Sequence, residues 1–272
     1  MPHPARETPT PTLSVMTWNL WWRFGPWRER AAAIAATLAR EAPDIICLQE
    51  VWDDGRRNFA AELADGLGYA HAYAPGARPN GIHMGNAILS RWPIKTREAI
   101  ALHDEPGAEE MRVALRADVA GPTGTIPVFC THLNYLPYHS AIRQKQVADL
   151  LAFIKRSPRG ALPAILAGDF NADPMSDEIR MITGRAAAPV SGIALFDSWD
   201  HCHPGAPGLT WSRENPFAAE NPEPQGRIDY IFVARPRAGN AGTIMNSRIA
   251  GNAALKGIWP SDHFALVSDL AL

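Results

Sequence analysis

Cysteine is scarce: three residues in 272, an odd number that cannot complete a disulfide framework. Cys47 and Cys130 lie inside the apolar runs DIICLQE and IPVFCTH, the setting of buried free thiols, which favours a reducing compartment. Net charge is nearly absent as well. Lys and Arg number 26 against 28 Asp and Glu, a formal charge of -2, so no global basic field draws the chain onto nucleic acid. A local basic patch stays open. No apolar run approaches the roughly 18 residues of a membrane span, and the opening MPHPARETPTPTLSV has no apolar core of the signal-peptide kind. These absences lead to the expectation of a cytoplasmic protein with no membrane insertion. The sequence also lacks an internal repeat and any block of like charge.

What is present is 46% hydrophobic and 20% charged residues, enough for one large core in a chain of this length. The Pro- and Thr-rich residues 1–12 predict a flexible tail, and 13–272 a single domain. Short apolar runs predict strands at 13–20, 44–51, 85–94, 112–120, 126–134, 163–167, 227–234 and 263–272. Helical spacing predicts helices at 27–40, stopped by Pro43, at 58–67, and at 140–155, where Ile142, Val147, Leu150, Leu151 and Ile154 share a side. Residues 203–226 hold five prolines and read as a long surface loop.

Polar residues recur at the strand ends. Asn19 follows LSVMTW, Glu50 follows DIICLQ, His132 follows IPVFCT, Asp169 and Asn171 follow AILAG, and Asp262 and His263 open the last strand. Strand ends of a layered α/β protein deliver side chains to one rim, where a rigid scaffold fixes their geometry. Glu50 and Asp169 are hard oxygen donors of the type that holds Mg²⁺ or Mn²⁺. Asn19 and Asn171 orient a phosphate oxygen or a water without adding charge, and His132 and His263 suit proton transfer. Asp229, in GRIDYIF, is placed to orient a histidine, although a salt bridge with Arg227 competes for it. Taken singly, Asn19 or Asp173 is also an ordinary turn former. An acid at Glu50, straight after IICLQ, is costly to bury unless paired or bound to a cation.

These residues fall in TWNL (17–20), LQEV (48–51), GNAILSR (85–91), THLN (131–134), GDFN (168–171), RIDYIF (227–232) and SDHF (261–264). In that order the set resembles the endonuclease/exonuclease/phosphatase superfamily of metal-dependent phosphoesterases, from about residue 13 to the C-terminus. The resemblance implies a four-layered α/β sandwich, two mixed β-sheets packed face to face with helices outside. It implies Glu50 as main metal ligand with Asn19 beside it and Asp262 as a further metal contact. Asp169 and Asn171 would position the attacking water or the phosphate. His263 would be the catalytic histidine, Asp229 its orienting carboxylate, and His132 a phosphate contact together with Asn19 and Asn171. The implied reaction is in-line attack of an activated water on a phosphodiester or phosphomonoester, with Mg²⁺ or Mn²⁺ neutralising charge.

Whether Asp169 or His263 deprotonates the water stays open, as does one metal ion against two. Fold and motifs fix a reaction class, not a substrate. A small or nucleotide-like phosphate ester is expected ahead of a nucleic acid, which remains a possible partner, and a monomer is expected. Substrate contacts are sought in the loops 74–85, 103–112, 135–143 and 203–225. Arg78, His83, Arg112, His139, Arg143 and Arg213 are the candidates for phosphate, and Tyr135, Tyr138, Trp211 and Phe217 for stacking. Two readings from other classes stand beside this one: a transition-metal site at His201, Cys202 and His203, and a catalytically inactive binding protein on the same scaffold.

Overall fold

Period-two alternation of apolar side chains builds the framework of the computed structural model, which describes residues 11–105 and 110–272. Strands β1 (Thr12–Asn19), β2 (Ile45–Asp53), β3 (Ala70–Pro75), β4 (His83–Ser90), β11 (Ile244–Ala250) and β12 (Ala265–Ala271) form one sheet in the order β11-β12-β1-β2-β4-β3. Strands β5 (Ile94–Ala101), β6 (Val113–Gly121), β7 (Gly124–His132), β8 (Ile165–Asp169), β9 (Phe196–Asp197) and β10 (Asp229–Val233) form the second in the order β5-β6-β7-β8-β10-β9. Each sheet has one parallel pair at its centre, β1 with β2 and β7 with β8, and antiparallel pairs elsewhere. The crossovers of these pairs contain the long helices α1 (Trp27–Glu41) and α3 (Ser140–Arg156), as parallel strands require. The helices α2 (Phe59–Leu67), α4 (Asp177–Thr183) and α5 (Ser198–Cys202) complete the set.

Alternate residues of the strands separate three apolar layers. Leu13, Val15, Ile45 and Cys47 of the first sheet meet Val128, Cys130, Ile165, Ala167, Ile231 and Val233 of the second between the sheets. Met16, Trp18, Ile46 and Leu48 face Ile34 and Leu38 of α1 and Leu63 of α2 on one outer side. Phe129, Leu166, Tyr230 and Phe232 face Val147, Leu150 and Leu151 of α3 and Ile179 of α4 on the other. The four-layered sandwich of two mixed sheets is the architecture the family resemblance implied.

Elements with a dense apolar pattern match their sequence expectations to within a few residues. β3, β5, β9, β11, α4 and α5 were not expected. In β5 every side chain is exposed or half-exposed, and its Lys95, Arg97 and Glu98 mark an edge strand rather than a buried one. β1 begins at Thr12, one residue ahead of the expected run. Residues 1–10, on which most of the expected tail falls, lie outside the described residues. Among the described residues, no helix is long and apolar enough to cross a membrane.

Candidate active site

Continuing the inter-sheet alternation to the strand ends places polar residues where the apolar layer stops. Asn19 follows Leu13, Val15 and Thr17; His132 follows Val128 and Cys130; Asp169 follows Ile165 and Ala167; Asp229 precedes Ile231 and Val233. In the second sheet these residues share one register row, His132 opposite Asp169 and Asp169 opposite Asp229. Gly168 lets β7 and β8 close up just before that row, because a Cβ there would collide with the Thr131 carbonyl oxygen.

Glu50 arrives differently. Its even-numbered neighbours Ile46 and Leu48 face the helices. A register shift between Leu48 and Val51, with a left-handed backbone at Glu50 (φ 54°), turns its side chain to the inter-sheet rim. Asn171 has the same unusual backbone, φ 48°. Two site residues thus sit in a conformation that non-glycine residues seldom adopt.

Asn19 joins the two rims: its Nδ2 donates to Glu50 Oε1 at 3.1 Å and to Asp169 Oδ2 at 2.9 Å. Its Oδ1 also accepts from the Trp21 amide at 2.9 Å, so the turn-forming role is present beside the bridging one. The Asn171 amide donates to Asp169 Oδ1 at 2.9 Å, and Asn171 Nδ2 reaches both Leu133 O and His132 Nε2 at 3.1 Å. His263 Nδ1 lies 2.9 Å from Asp229 Oδ2, and its Nε2 faces Asp169 Oδ2 across 3.8 Å. Asp229 does not pair with Arg227, which binds Asp197 at 2.7 Å instead. Ser261 Oγ donates to the Asn19 carbonyl oxygen at 2.7 Å and lies 3.2 Å from Asp262 Oδ1.

Burial sets the charges. It raises Asp169 to about 7, helped by the neighbouring Asp229, and raises Asp262 to about 7, helped by repulsion from Glu50. For His263 burial opposes the cation, yet Asp229, Asp262 and Asp169 around it outweigh that and lift its pKa well above the ordinary histidine value. His132 is pushed well below that value by burial, then by Arg112 and His263, and stays neutral. The site therefore holds one cationic and one neutral imidazole.

Seven of the eight expected site residues line one open cleft of about 520 Å³: Asn19, Glu50, His132, Asp169, Asn171, Asp262 and His263. Asp229 stands behind His263, wholly buried. Two groups of acids border the cleft. Asp169, Asp229 and His263 bring ligand-type atoms within 4.8 Å of one another, but His263 is already engaged by Asp229. Glu50 Oε2 is buried with no hydrogen-bond partner, and Asp262 lies close enough to feel its charge. An orphaned carboxylate oxygen beside a second acid fits a hard divalent cation, which would supply the missing partner.

Sequence reasoning missed Arg30. Its guanidinium, 1% exposed, donates to the carbonyl oxygens of Leu20, Trp21, Trp22, Phe24 and Pro260 at 2.8–3.1 Å. It thereby clips together the segment after Asn19 and the segment before Asp262. The signal was available: Arg30 precedes Ala33, Ile34, Thr37 and Leu38 on the buried stripe of α1. Trp18 was also missed; its Nε1 donates to the His263 carbonyl oxygen at 3.0 Å. The segment 203–226 is no plain surface loop, because Thr210, Ser212 and Asn215 are buried and Trp211 packs its ring 4.9 Å from that of His263.

His201, Cys202 and His203 do not converge. His203 Nε2 meets the Ser247 carbonyl oxygen at 2.7 Å, Cys202 packs against the inter-sheet core, and His201 lines a separate hollow beside Phe196. Arg143, a candidate phosphate contact, is buried against Glu178 at 2.7 Å.

Two six-stranded mixed sheets between helices, with carboxylates, amides and histidines gathered at one end of the inter-sheet layer, define the class of phosphoester-cleaving sandwich proteins. The chain belongs to the Endonuclease/Exonuclease/phosphatase family, whose model matches residues 16–263. It is 25% identical over 301 residues to the uncharacterized protein F14F9.5 of Caenorhabditis elegans, covering 94% of this chain and 90% of that one. It is 25% identical to nocturnin of Drosophila melanogaster over 90% of this chain, but spans only 42% of nocturnin's length. The solved structure of D. rerio TDP2 complexed with single strand DNA product shares the fold, with a TM-score of 0.75, 23% identity and coverage of 96% and 99% of the two chains.

Proposed function

We propose that the protein is a divalent-metal-dependent phosphoesterase that hydrolyses a phosphodiester or phosphomonoester by in-line attack of water, with Mg²⁺ or Mn²⁺ as the ion. The observation that carries this reading is the partnerless Glu50 Oε2 at the rim opposite the His263–Asp229 pair. Glu50 and Asp262 would hold the ion, and Asn19, the third expected metal contact, turns its Nδ2 toward Glu50 and so would position that ligand. When bound, it neutralises charge on the phosphate oxygens and on the leaving group.

The rest of the chemistry falls to the chain. Asn19 fixes the spacing of Glu50 and Asp169 through its two hydrogen bonds. Asp169, with a pKa of about 7, is matched to accept the proton of the attacking water near neutrality. His263, kept cationic by Asp229, donates to a phosphate oxygen as negative charge develops. Asn171 and the neutral His132, hydrogen-bonded to each other, form the wall against which the phosphate rests.

Cleavage of DNA or RNA is the second reading, favoured by Trp21, Phe24, Tyr135 and Trp211 in the cleft wall, which offer ring faces to bases, and by the DNA product bound to the TDP2 relative. Turnover of chromogenic phosphodiesters and monoesters with Mg²⁺, Mn²⁺ or EDTA, beside single-stranded and duplex DNA, tests both. Diester turnover abolished by EDTA supports the proposal, and EDTA-insensitive turnover or none at all contradicts it.

A further inference from the structure

The cleft is the middle of a longer groove. It shares Pro79, Arg112 and Tyr135 with a hollow of about 610 Å³ toward Arg78, and Tyr135, Trp211, Glu223 and Ile228 with another of about 270 Å³ toward Asp173. The described residues that line the two hollows differ in charge. On one arm stand Arg78 and Arg112, the latter already paired with Glu110 at 3.0 Å. On the other stand Glu223 and Asp173, neither of which forms an ion pair among the described residues. The one arginine of that arm, Arg143, is held by Glu178 and by the carbonyl oxygens of Asn134 and Leu136.

Apolar surface follows the same path. Seven large hydrophobic side chains are exposed among the described residues, and of these Phe24, Met111 and Tyr135 line the groove while Tyr138 and Met175 stand in the loops beside it. Isolated exposed hydrophobic residues are ordinary, but gathering them at a cleft marks a ligand surface.

A polynucleotide running through both arms would set successive phosphates against Glu223 and Asp173, with no free cation among the described residues of that hollow to receive them. Strand binding instead relies on cations along the whole track. We propose that the substrate is a phosphodiester whose substituent on the Trp211–Glu223 side has an apolar face and no negative charge, with any further anionic group lying on the Arg78–Arg112 side. The aromatic rings of the first side take an apolar group whether neutral or cationic, and its carboxylates add attraction for a cationic one and repulsion for an anionic one. This assignment rests on the phosphoesterase reading and narrows its substrate.

The test compares kcat/KM for p-nitrophenyl phosphorylcholine, bis(p-nitrophenyl) phosphate and a short oligothymidylate, with and without EDTA, in the wild type and in Glu223→Lys and Glu223→Gln. The wild type is expected to favour both small esters over the oligonucleotide by about tenfold or more. Glu223→Lys should shift the ratio of choline ester to oligonucleotide toward the oligonucleotide by roughly fivefold, with Glu223→Gln between. EDTA-sensitive turnover that favours the oligonucleotide, or a ratio that neither variant moves, would overturn the substrate assignment alone. Absence of EDTA-sensitive turnover on all three would overturn the phosphoesterase reading and this assignment with it.

Discussion

At the end of β8 the residue opposite His132 is Asp169; at the matching place in the other sheet, midway along β2, the residue opposite Asn19 is Gln49. The two sheets repeat one strand order, so these positions correspond. Asp169 reaches the cleft by the pleat alone. Gln49 points the same way but is spent on the interior, accepting from Thr17 Oγ1 at 3.3 Å and reaching Cys130 Sγ at 3.2 Å. The acid of the first sheet stands one residue later, at Glu50, and needs a left-handed backbone and a register shift to face the cleft. The difference separates two tasks. Asp229 Oδ1 on the second rim and Glu50 Oε2 on the first are both buried without a partner among the described residues, but only Glu50 lines the cleft, where a cation can reach it, while Asp229 stands behind His263 in a network suited to protons and phosphate.

The strongest way to break that division is Glu50→Gln, which keeps size and shape but removes the hard anionic donor. Metal-dependent turnover should fall by about 10³-fold. The melting temperature should hold, because a buried orphan charge is removed with no cavity formed. Unchanged turnover would end the metal assignment.

On the other rim, His263→Ala should cost on the order of 10²-fold or more in kcat, with Asp229→Asn costing less because the imidazole remains. A loss of only a few-fold in His263→Ala would move proton transfer elsewhere.

Arg30→Met tests the clip that joins the rims. It leaves five carbonyl oxygens without their donor and should lower stability by about 3 kcal/mol in denaturant unfolding. A shift under 1 kcal/mol, to order of magnitude, would make the clip incidental.

The smallest expected effect is a pH dependence of the metal-free protein. Asp169 and Asp262, near 7 against an ordinary 3.8, bind protons in the folded state that the unfolded chain has released. His263, raised above 6.5, acts in the same direction, and His132, lowered, is neutral in both states above 6.5. Stability in EDTA should therefore fall as pH rises from 6.5 toward about 8, by roughly 5 °C in melting temperature, and Mg²⁺ or Mn²⁺ should restore it. A melting temperature that rises over this window would contradict the charge assignments.

The same contrast explains what the sequence made legible. Asp169 and His132 could be placed because the apolar runs AILAG and IPVFCT stop at them, and Asp229 because it opens the run DYIFV within RIDYIF, whereas the face each side chain takes is not written in such continuously apolar runs. Glu50 was found as a chemical anomaly, an acid after IICLQ, while its left-handed backbone has no signature in residue type. Arg30 escaped because one arginine in an Ala-rich helix with several charged neighbours looks solvated until the stripe through Leu38 is followed back to it. The partners of Arg227 and Arg143 depend on residues 30 and 35 positions away, Asp197 and Glu178, and no local pattern announces such pairs. β5 and β11 carry charged or polar faces at sheet edges, where burial imposes no strict alternation.

The most direct test of the two-rim account is calorimetric titration of Mn²⁺ into the wild type, Glu50→Gln and Asp229→Asn. The account expects one class of binding in the wild type, near-complete loss in Glu50→Gln and retention in Asp229→Asn. Retention in Glu50→Gln with loss in Asp229→Asn would put the cation at the Asp169, Asp229 and His263 group and contradict the division between the rims.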